Sequence, residues 1–281
     1  PDNVIATNGG DELLRLALTT FVNPGASIAT TQPSYSLYPV LADIQGCEYQ
    51  EIALNDDWSM PENFLAVLQQ SQASMCLLVN PHAPTGQLLS ADYLETLSKG
   101  FSGVLLVDEA YVDFVDEEQA YSAIELATTR DNVLLLRTLS KGYSLAGLRF
   151  GYGIGNRSLI EPMQFKTRDS YNTDLIAQAL ATAAIQSQDY ARETWHKVRQ
   201  ERKRLSTELA ALGFSVTPSQ TNFLLAGAPP NSNAESLYQA LKERQILVRH
   251  FQQPRLDDKL RISIGTREEN DLLLAALSDL L

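Results

Sequence analysis

Lys141 sits in Thr138-Leu-Ser-Lys141, beside two hydroxyl side chains, and Arg149 follows eight positions later in Ala-Gly-Leu-Arg149. A primary amine next to hydroxyls and a guanidinium suits a phosphorylated aldehyde. The amine can form a Schiff base while Thr138, Ser140 and Arg149 hold the phosphate. Taken alone, the stretch fits an ordinary surface loop equally well. Three other places carry chemically suggestive residues: Asn80-Pro-His-Ala-Pro-Thr-Gly86, Asp108-Glu-Ala-Tyr111, and Gly9-Gly10-Asp11. The first has too much proline to continue a helix or a strand. The last opens a helical pattern whose free N–H groups could receive a phosphate.

The surrounding pattern says what must position these residues. Short apolar runs at 75–79, 103–107 and 132–137 read as buried parallel strands, and each ends at one of the suggestive segments. Open α/β sheets bind ligands at that end of their strands. Further strands are expected at 26–30, 48–52 and 149–155. Helices are expected at 11–22, 35–44, 61–70 and 90–99, with Asp11 and Glu12 in a first turn and Ser90 as a cap. This alternation predicts an α/β fold, a three-layer arrangement whose mostly parallel sheet is covered on both faces. Helical patterns fill 173–186 and 189–212. Short strands at 214–216, 222–226, 246–249 and 260–264 then interleave with helices near 233–243 and 267–280. The expected division is a large α/β domain over 1–186 and a small α+β domain over 187–281.

Composition excludes several classes of function. The net charge of −12 argues against a nucleic-acid surface, which needs clustered Lys and Arg, but not against a small anionic ligand. The two cysteines, Cys47 and Cys76, are far apart and form no CxxC or metal spacing, so neither a disulfide framework nor a zinc site is expected. No run is long enough to cross a bilayer and no signal-peptide pattern opens the chain, so a cytoplasmic setting is the expectation. No GxGxxG pattern follows a strand with a matching acid downstream, since Gly151-Tyr-Gly-Ile-Gly155 lacks that acid. His196 and His250 have no partner pattern and read as surface residues.

Taken in order, the markers Gly-Gly-Asp11-Glu, Pro-Ser-Tyr35, Ala-Pro-Thr-Gly86, Val-Asp108-Glu-Ala-Tyr111, Arg-Thr-Leu-Ser-Lys141, Ala-Gly-Leu-Arg149 and Leu-Arg261-Ile-Ser-Ile-Gly resemble one family. It is the histidinol-phosphate aminotransferase family of fold-type I pyridoxal-phosphate enzymes, and the resemblance runs from Asn8 to the final helix. It implies that Lys141 is the Schiff-base lysine and proton carrier, and that Asp108 pairs with the cofactor's pyridine nitrogen. Tyr111 would bond the phenolic oxygen and Tyr35 would stack on the ring. Gly10, Asp11, Thr138, Ser140 and Arg149 would form the phosphate cup. Arg261 would hold the substrate's acidic end and Arg249 its phosphate. Glutamate or 2-oxoglutarate and a phosphorylated amino or keto compound are the implied substrates, and a homodimer the implied assembly. Threonine-phosphate decarboxylases and aromatic aminotransferases share the pattern, and a non-catalytic module that keeps the fold is a further alternative.

Two departures follow. The family places an asparagine directly before Pro-Thr-Gly, where it donates to the phenolic oxygen; here that residue is Ala83. His82 is the expected substitute, with Asn80, or Tyr111 acting alone, as the other options. The family also has a longer N-terminal portion that reaches into the neighbouring subunit's site. This sequence opens at Pro1 without it, so activity and dimer stability are expected to depend on that portion.

Overall fold

The computed structural model describes residues 2–281. Its first half alternates strand and helix: β1 (Val4–Thr7), α1 (Gly10–Phe21), β2 (Ser27–Gln32), α2 (Leu37–Gln45), β3 (Glu48–Ala53), α3 (Phe64–Gln70), β4 (Met75–Val79), α4 (Ala91–Gly100) and β5 (Val104–Asp108). Then come α5 (Ile124–Thr129), β6 (Val133–Thr138), β7 (Gly151–Gly155), α6 (Arg157–Pro162), α7 (Leu175–Gln186) and the 24-residue α8 (Gln188–Ala211). The chain closes with β8 (Ser215–Val216), β9 (Phe223–Gly227), α9 (Ala234–Glu243), β10 (Arg249–His250), β11 (Lys259–Ser263) and α10 (Arg267–Leu280).

Seven strands form one sheet in the order β1-β7-β6-β5-β4-β2-β3, in which only β7 runs against its neighbours. Alternation along the central strands divides the apolar side chains between two faces. Leu77, Leu106 and Leu134 pack with Leu13, Leu14 and Leu18 of α1, whereas Cys76, Leu78, Leu105 and Leu135 pack with Phe64, Leu68 and Leu94. Strands buried on both faces and helices covering each face make the three layers. Local chemistry sets several ends. Ser90 caps α4 by accepting from the Tyr93 N–H, Gly46 closes α2 in the left-handed region at φ 69°, and Thr266 and Glu269 form a capping box on α10.

A second, antiparallel sheet, β10-β11-β9-β8, packs its own core, in which Leu224, Leu260 and Ile262 meet Leu205, Leu209, Leu237 and Leu277. The long α8 joins the two bodies. Trp195, in its first half, donates through Nε1 to the Gly142 carbonyl at 2.6 Å, and Leu205 and Leu209, further along, enter the small core. Arg202, on the same helix, is buried and donates to the carbonyls of Phe114 and Thr221 and to Asp116 Oδ1 at 2.7–2.8 Å. Among the described residues, no helix is long and apolar enough to cross a membrane.

The structure corrects some expected bounds. The strand expected from Arg149 begins at Gly151, because Arg149 itself lies in the left-handed region (φ 54°) at the end of a short 3-10 turn. Helices α2 and α3 start at Leu37 and Phe64, two and three residues later than the apolar spacing predicts. Of the segment 246–249 only Arg249 is in a strand, paired with Arg261.

Candidate active site

The three central strands end level with one another. Val79, Asp108 and Leu136 are aligned across β4, β5 and β6, and all three line a cavity of about 260 Å³. Beyond the strand ends, the segment after β6 brings Ser140 and Lys141 to the same cavity, and the N-terminus of α1 brings Gly10 and Asp11. β7 makes that approach possible. A Cβ at Gly151 would stand 2.6 Å from the Gly9 carbonyl carbon and 2.7 Å from the Gly10 nitrogen, so only glycine lets the helix start rest on the strand. Arg149 completes this corner. Its Nη2 lies 2.6 Å from where a Cβ of Gly9 would be and 3.4 Å from Asp11 Oδ2. A left-handed arginine is sterically costly, and such conformations concentrate where function requires a side chain to be aimed. Thr138 Oγ1 donates to Ser140 Oγ at 2.9 Å, so the two hydroxyls stand side by side facing this corner. Together with the N–H groups at the start of α1, which have no partner within the helix, they are arranged to suit an anion.

Asp108 lies at the base of the cavity, 5% exposed. Its Oδ1 accepts from the Ala110 N–H at 3.1 Å and its Oδ2 from the Tyr38 hydroxyl at 3.3 Å. Burial pushes this carboxyl up to about 6. The two hydrogen bonds partly offset that, Asp11 adds to it, and Lys141 opposes it most weakly of all. A buried carboxylate with so little cationic support is suited to receive a cation from a ligand.

Lys141 Nζ stands 5.7 Å from the centre of the Tyr111 ring, and that ring packs edge-on against Phe223 with centroids 5.1 Å apart. Burial raises the Tyr111 hydroxyl above its ordinary range. Tyr35 forms another part of the wall, and burial, followed by Asp11 and Asp108, pushes its hydroxyl up to about 12. Arg261 closes the side nearest the small sheet. Its Cζ is 5.0 Å above the Phe223 ring, and among the described residues no carboxylate pairs with it.

Two expected residues do not join the cavity wall. His82 is buried behind it: Nδ1 is 2.8 Å from Thr85 Oγ1, and Nε2 is 3.1 Å from both Thr31 Oγ1 and the Pro33 carbonyl. Burial lowers this imidazole to about 4, so it is neutral and locked in a structural role. Asn80 is also engaged elsewhere, with Leu89 and the Tyr121 hydroxyl. Ala83 does line the cavity and offers no donor. The proline-rich turn positions neither polar side chain, but it carries Gly86 (φ 86°), against which Ser219 packs too closely for any Cβ. His82→Ala is therefore expected to leave the pH dependence of a bound cofactor's spectrum unchanged. It should lower thermal stability by about 1–3 kcal/mol, measured by calorimetry, through polar groups left unpaired. The second residue, Arg249, is exposed with its Cζ 5.5 Å over Phe251, across the ladder from Arg261.

Glu109 and Arg137, whose role the sequence does not reveal, pair at 2.7 Å with the Glu109 side chain fully buried. Tyr121 donates to the same carboxylate at 2.8 Å and receives a bond from Asn80, tying the ends of β4, β5 and β6 together. The one signal was an arginine closing an apolar strand beside an acid that follows another acid.

Comparison with known proteins identifies the family. The family model described as aminotransferase class I and II matches residues 1–277. Histidinol-phosphate aminotransferase of Microcystis aeruginosa is 46% identical over 280 residues, covering 100% of this chain and 78% of that protein. The crystal structure of histidinol-phosphate aminotransferase from Sinorhizobium meliloti, in complex with pyridoxal-5'-phosphate, superposes with a TM-score of 0.90 at 28% identity, over 100% of this chain and 78% of that one. A decarboxylase from Sulfurospirillum multivorans shares the fold at a TM-score of 0.88 and 25% identity, over 100% and 82%. With a family match over nearly its whole length and relatives of this identity and coverage, the chain belongs to the class I and II aminotransferases, within the histidinol-phosphate aminotransferase family.

Proposed function

We propose that the chain is a pyridoxal-phosphate-dependent aminotransferase that moves an amino group between glutamate and imidazole-acetol phosphate, forming histidinol phosphate and 2-oxoglutarate. The observation that carries this reading is the meeting, in one cavity, of a lysine amine, a buried carboxylate with little cationic support, and an anion corner built from Gly10, Asp11, Thr138, Ser140 and Arg149. These residues fit the cofactor group by group: an aldehyde for the amine, a basic ring nitrogen for the acid and a phosphate for the corner.

Bound pyridoxal phosphate supplies a carbonyl that captures amines and a ring that takes up the electron pair left when the substrate's Cα–H bond breaks. The chain's own residues do the rest. Arg149, the two hydroxyls and the α1 N–H groups hold the phosphate with charge-assisted bonds. Asp108, as an anion, keeps the ring nitrogen protonated, because an opposite charge favours the charged form. Tyr111 is the donor to the phenolic oxygen, with neither Ala83 nor His82 able to assist. Tyr35 covers one face of the ring as an apolar plane with a polar tip. Lys141 Nζ would take the proton from the substrate's Cα and deliver it to the carbon that had been the cofactor's carbonyl, the general acid–base step. Arg261, paired with no acid among the described residues, would take the substrate carboxylate as its partner, and Arg249, opposite it on the ladder but outside the cavity wall, would hold a substrate phosphate extending beyond the cavity. Two unpaired cysteines suit a reducing cytoplasmic setting.

An absorbance spectrum of the protein with pyridoxal phosphate tests this reading. A visible band is expected that L-glutamate and L-histidinol phosphate both bleach. A band indifferent to glutamate would exclude the transaminase reading and favour the decarboxylases that share the fold.

A second copy of the chain is part of the same proposal. On α7, Leu175, Ile176 and Leu180 are 81%, 71% and 51% exposed, and Phe165 and Tyr171 before it are 75% and 98% exposed. An apolar surface of this kind marks an interaction site. Light scattering of the eluted protein should give twice the chain mass, and Leu175→Glu with Ile176→Glu should halve it.

A further inference from the structure

Tyr38 has no part in the scheme above, yet it touches two of its members. It is completely buried in α2, and among the described residues its hydroxyl has one partner, Asp108 Oδ2. Its ring packs edge-on against Tyr35, with centroids 5.6 Å apart and planes at 85°. A tyrosine that only filled the core could be a phenylalanine, since a buried hydroxyl is tolerated only where it finds a partner. Here the partner is the carboxylate at the base of the cavity. Only two hydrogen bonds reach that carboxylate among the described residues, and the other comes from the Ala110 backbone, which no side-chain substitution removes.

We propose that Tyr38 is a positioning residue that keeps Asp108 anionic and aimed at the cofactor's ring nitrogen, and so sets how firmly that nitrogen is held protonated. The inference rests on the pyridoxal-phosphate reading of the cavity. Asp108 is faced by Tyr38 and Tyr35 from α2 and the turn before it, by Asp11 from α1, by Lys141 after β6 and by Tyr111 beyond its own strand. Burial and Asp11 favour the neutral acid; the Tyr38 hydroxyl, the Ala110 N–H and Lys141 favour the anion. Within this balance the Tyr38 bond is the contribution a side chain makes by direct contact. Removing it raises the carboxylate's affinity for the proton it shares with the ring nitrogen. The proton then moves toward Asp108, and the ring becomes a poorer acceptor of electrons.

The test uses pyridoxal phosphate labelled with ¹⁵N in the ring, bound to the unaltered protein, to Tyr38→Phe, and to protein carrying a ring-fluorinated tyrosine at position 38. The ¹⁵N resonance is followed against pH. Tyr38→Phe is expected to move the resonance toward that of unprotonated pyridine and to lower the titration midpoint by about one unit. The fluorinated ring, a stronger donor, should move both the other way. A packing role alone predicts the same resonance and midpoint in all three proteins, and that outcome overturns the proposal. If Tyr38→Phe does not fold, the fluorinated protein decides, and an unmoved resonance there overturns the proposal as well. An unaltered protein that forms no visible band with pyridoxal phosphate would overturn the cofactor reading itself, whereas a normal band with unmoved resonances would remove only the role of Tyr38.

Discussion

Lys141→Ala should abolish the visible band formed with pyridoxal phosphate and lower kcat with glutamate by about 10⁴-fold or more, while leaving the melting temperature unchanged. The size follows from two losses at once. The amine is the only lysine ammonium on the cavity wall among the described residues, so no neighbour can replace it as the covalent anchor. It is also the group placed to carry the substrate's Cα proton, and a positioned acid–base group contributes about 10²–10⁴-fold by itself. The lack of a stability effect follows from exposure: Lys141 is solvent-exposed, its Nζ stands 5.7 Å from the Tyr111 ring centre, and its pull on Asp108 is the weakest of those acting on that carboxyl. Pre-steady-state absorbance separates the two losses. Added small primary amines should restore part of the proton-transfer rate without restoring the band to its original form. A variant that keeps the band would show that another residue is the anchor and would sink the assignment of Lys141.

Much of this site was legible in the sequence because the chemistry stands at the ends of apolar runs that only a buried parallel strand explains. Val104–Asp108 and Val133–Thr138 are such runs, and their alignment across the sheet makes Asp108 a neighbour of the segment holding Ser140 and Lys141. The small sheet was legible for the same reason at Lys259–Ser263, where Arg261 interrupts an apolar alternation. What the sequence concealed depends on three-dimensional detail with no periodic trace. Val4–Thr7 is four residues with no pattern of their own, and it becomes a strand only because β7 offers it an edge. Arg149 looked like the start of a strand because the residues after it alternate; its left-handed turn is imposed by the helix start it must reach. His82 was expected at the cofactor because it is a donor next to the missing asparagine. A side chain one position away in a tight turn points elsewhere, and here it points to Thr31, Pro33 and Thr85. Tyr38 has no sequence signature beyond its helical spacing from Tyr35, and spacing alone cannot say that its hydroxyl meets an acid 70 residues away.

Asp108→Asn should make the cofactor-free protein more stable and the enzyme much less active, with a pH dependence that identifies the cause. In the folded chain burial raises the Asp108 carboxyl from 3.8 to about 6. A group whose folded value lies above its unfolded one contributes stability that is fully present below the unfolded value and lost as the pH rises through the folded one. Cofactor-free protein therefore gives up stability between about pH 4 and pH 7, as a charge is forced into a buried place. A rise of about two units corresponds to about 3 kcal/mol at full ionisation, and asparagine, which never ionises, avoids that loss. The two melting temperatures should coincide near pH 4 and separate as the pH rises, the variant being higher by about 6–10 °C at pH 7. Asparagine can keep both hydrogen bonds, since its carbonyl can accept from the Ala110 N–H and the Tyr38 hydroxyl can rotate to accept from its amide. It cannot balance a protonated ring nitrogen. Cofactor affinity should therefore fall, and kcat should drop by about 10²–10³-fold, the scale of removing one preorganised electrostatic partner. Equal melting temperatures across the whole pH range would mean that the Asp108 carboxylate is already compensated without cofactor, and its role as the partner of the ring nitrogen would have to be abandoned. The opposite signs of the two effects are the point of the experiment: the carboxylate is kept at a stability cost in the empty protein, and the charge of the bound ring offsets that cost.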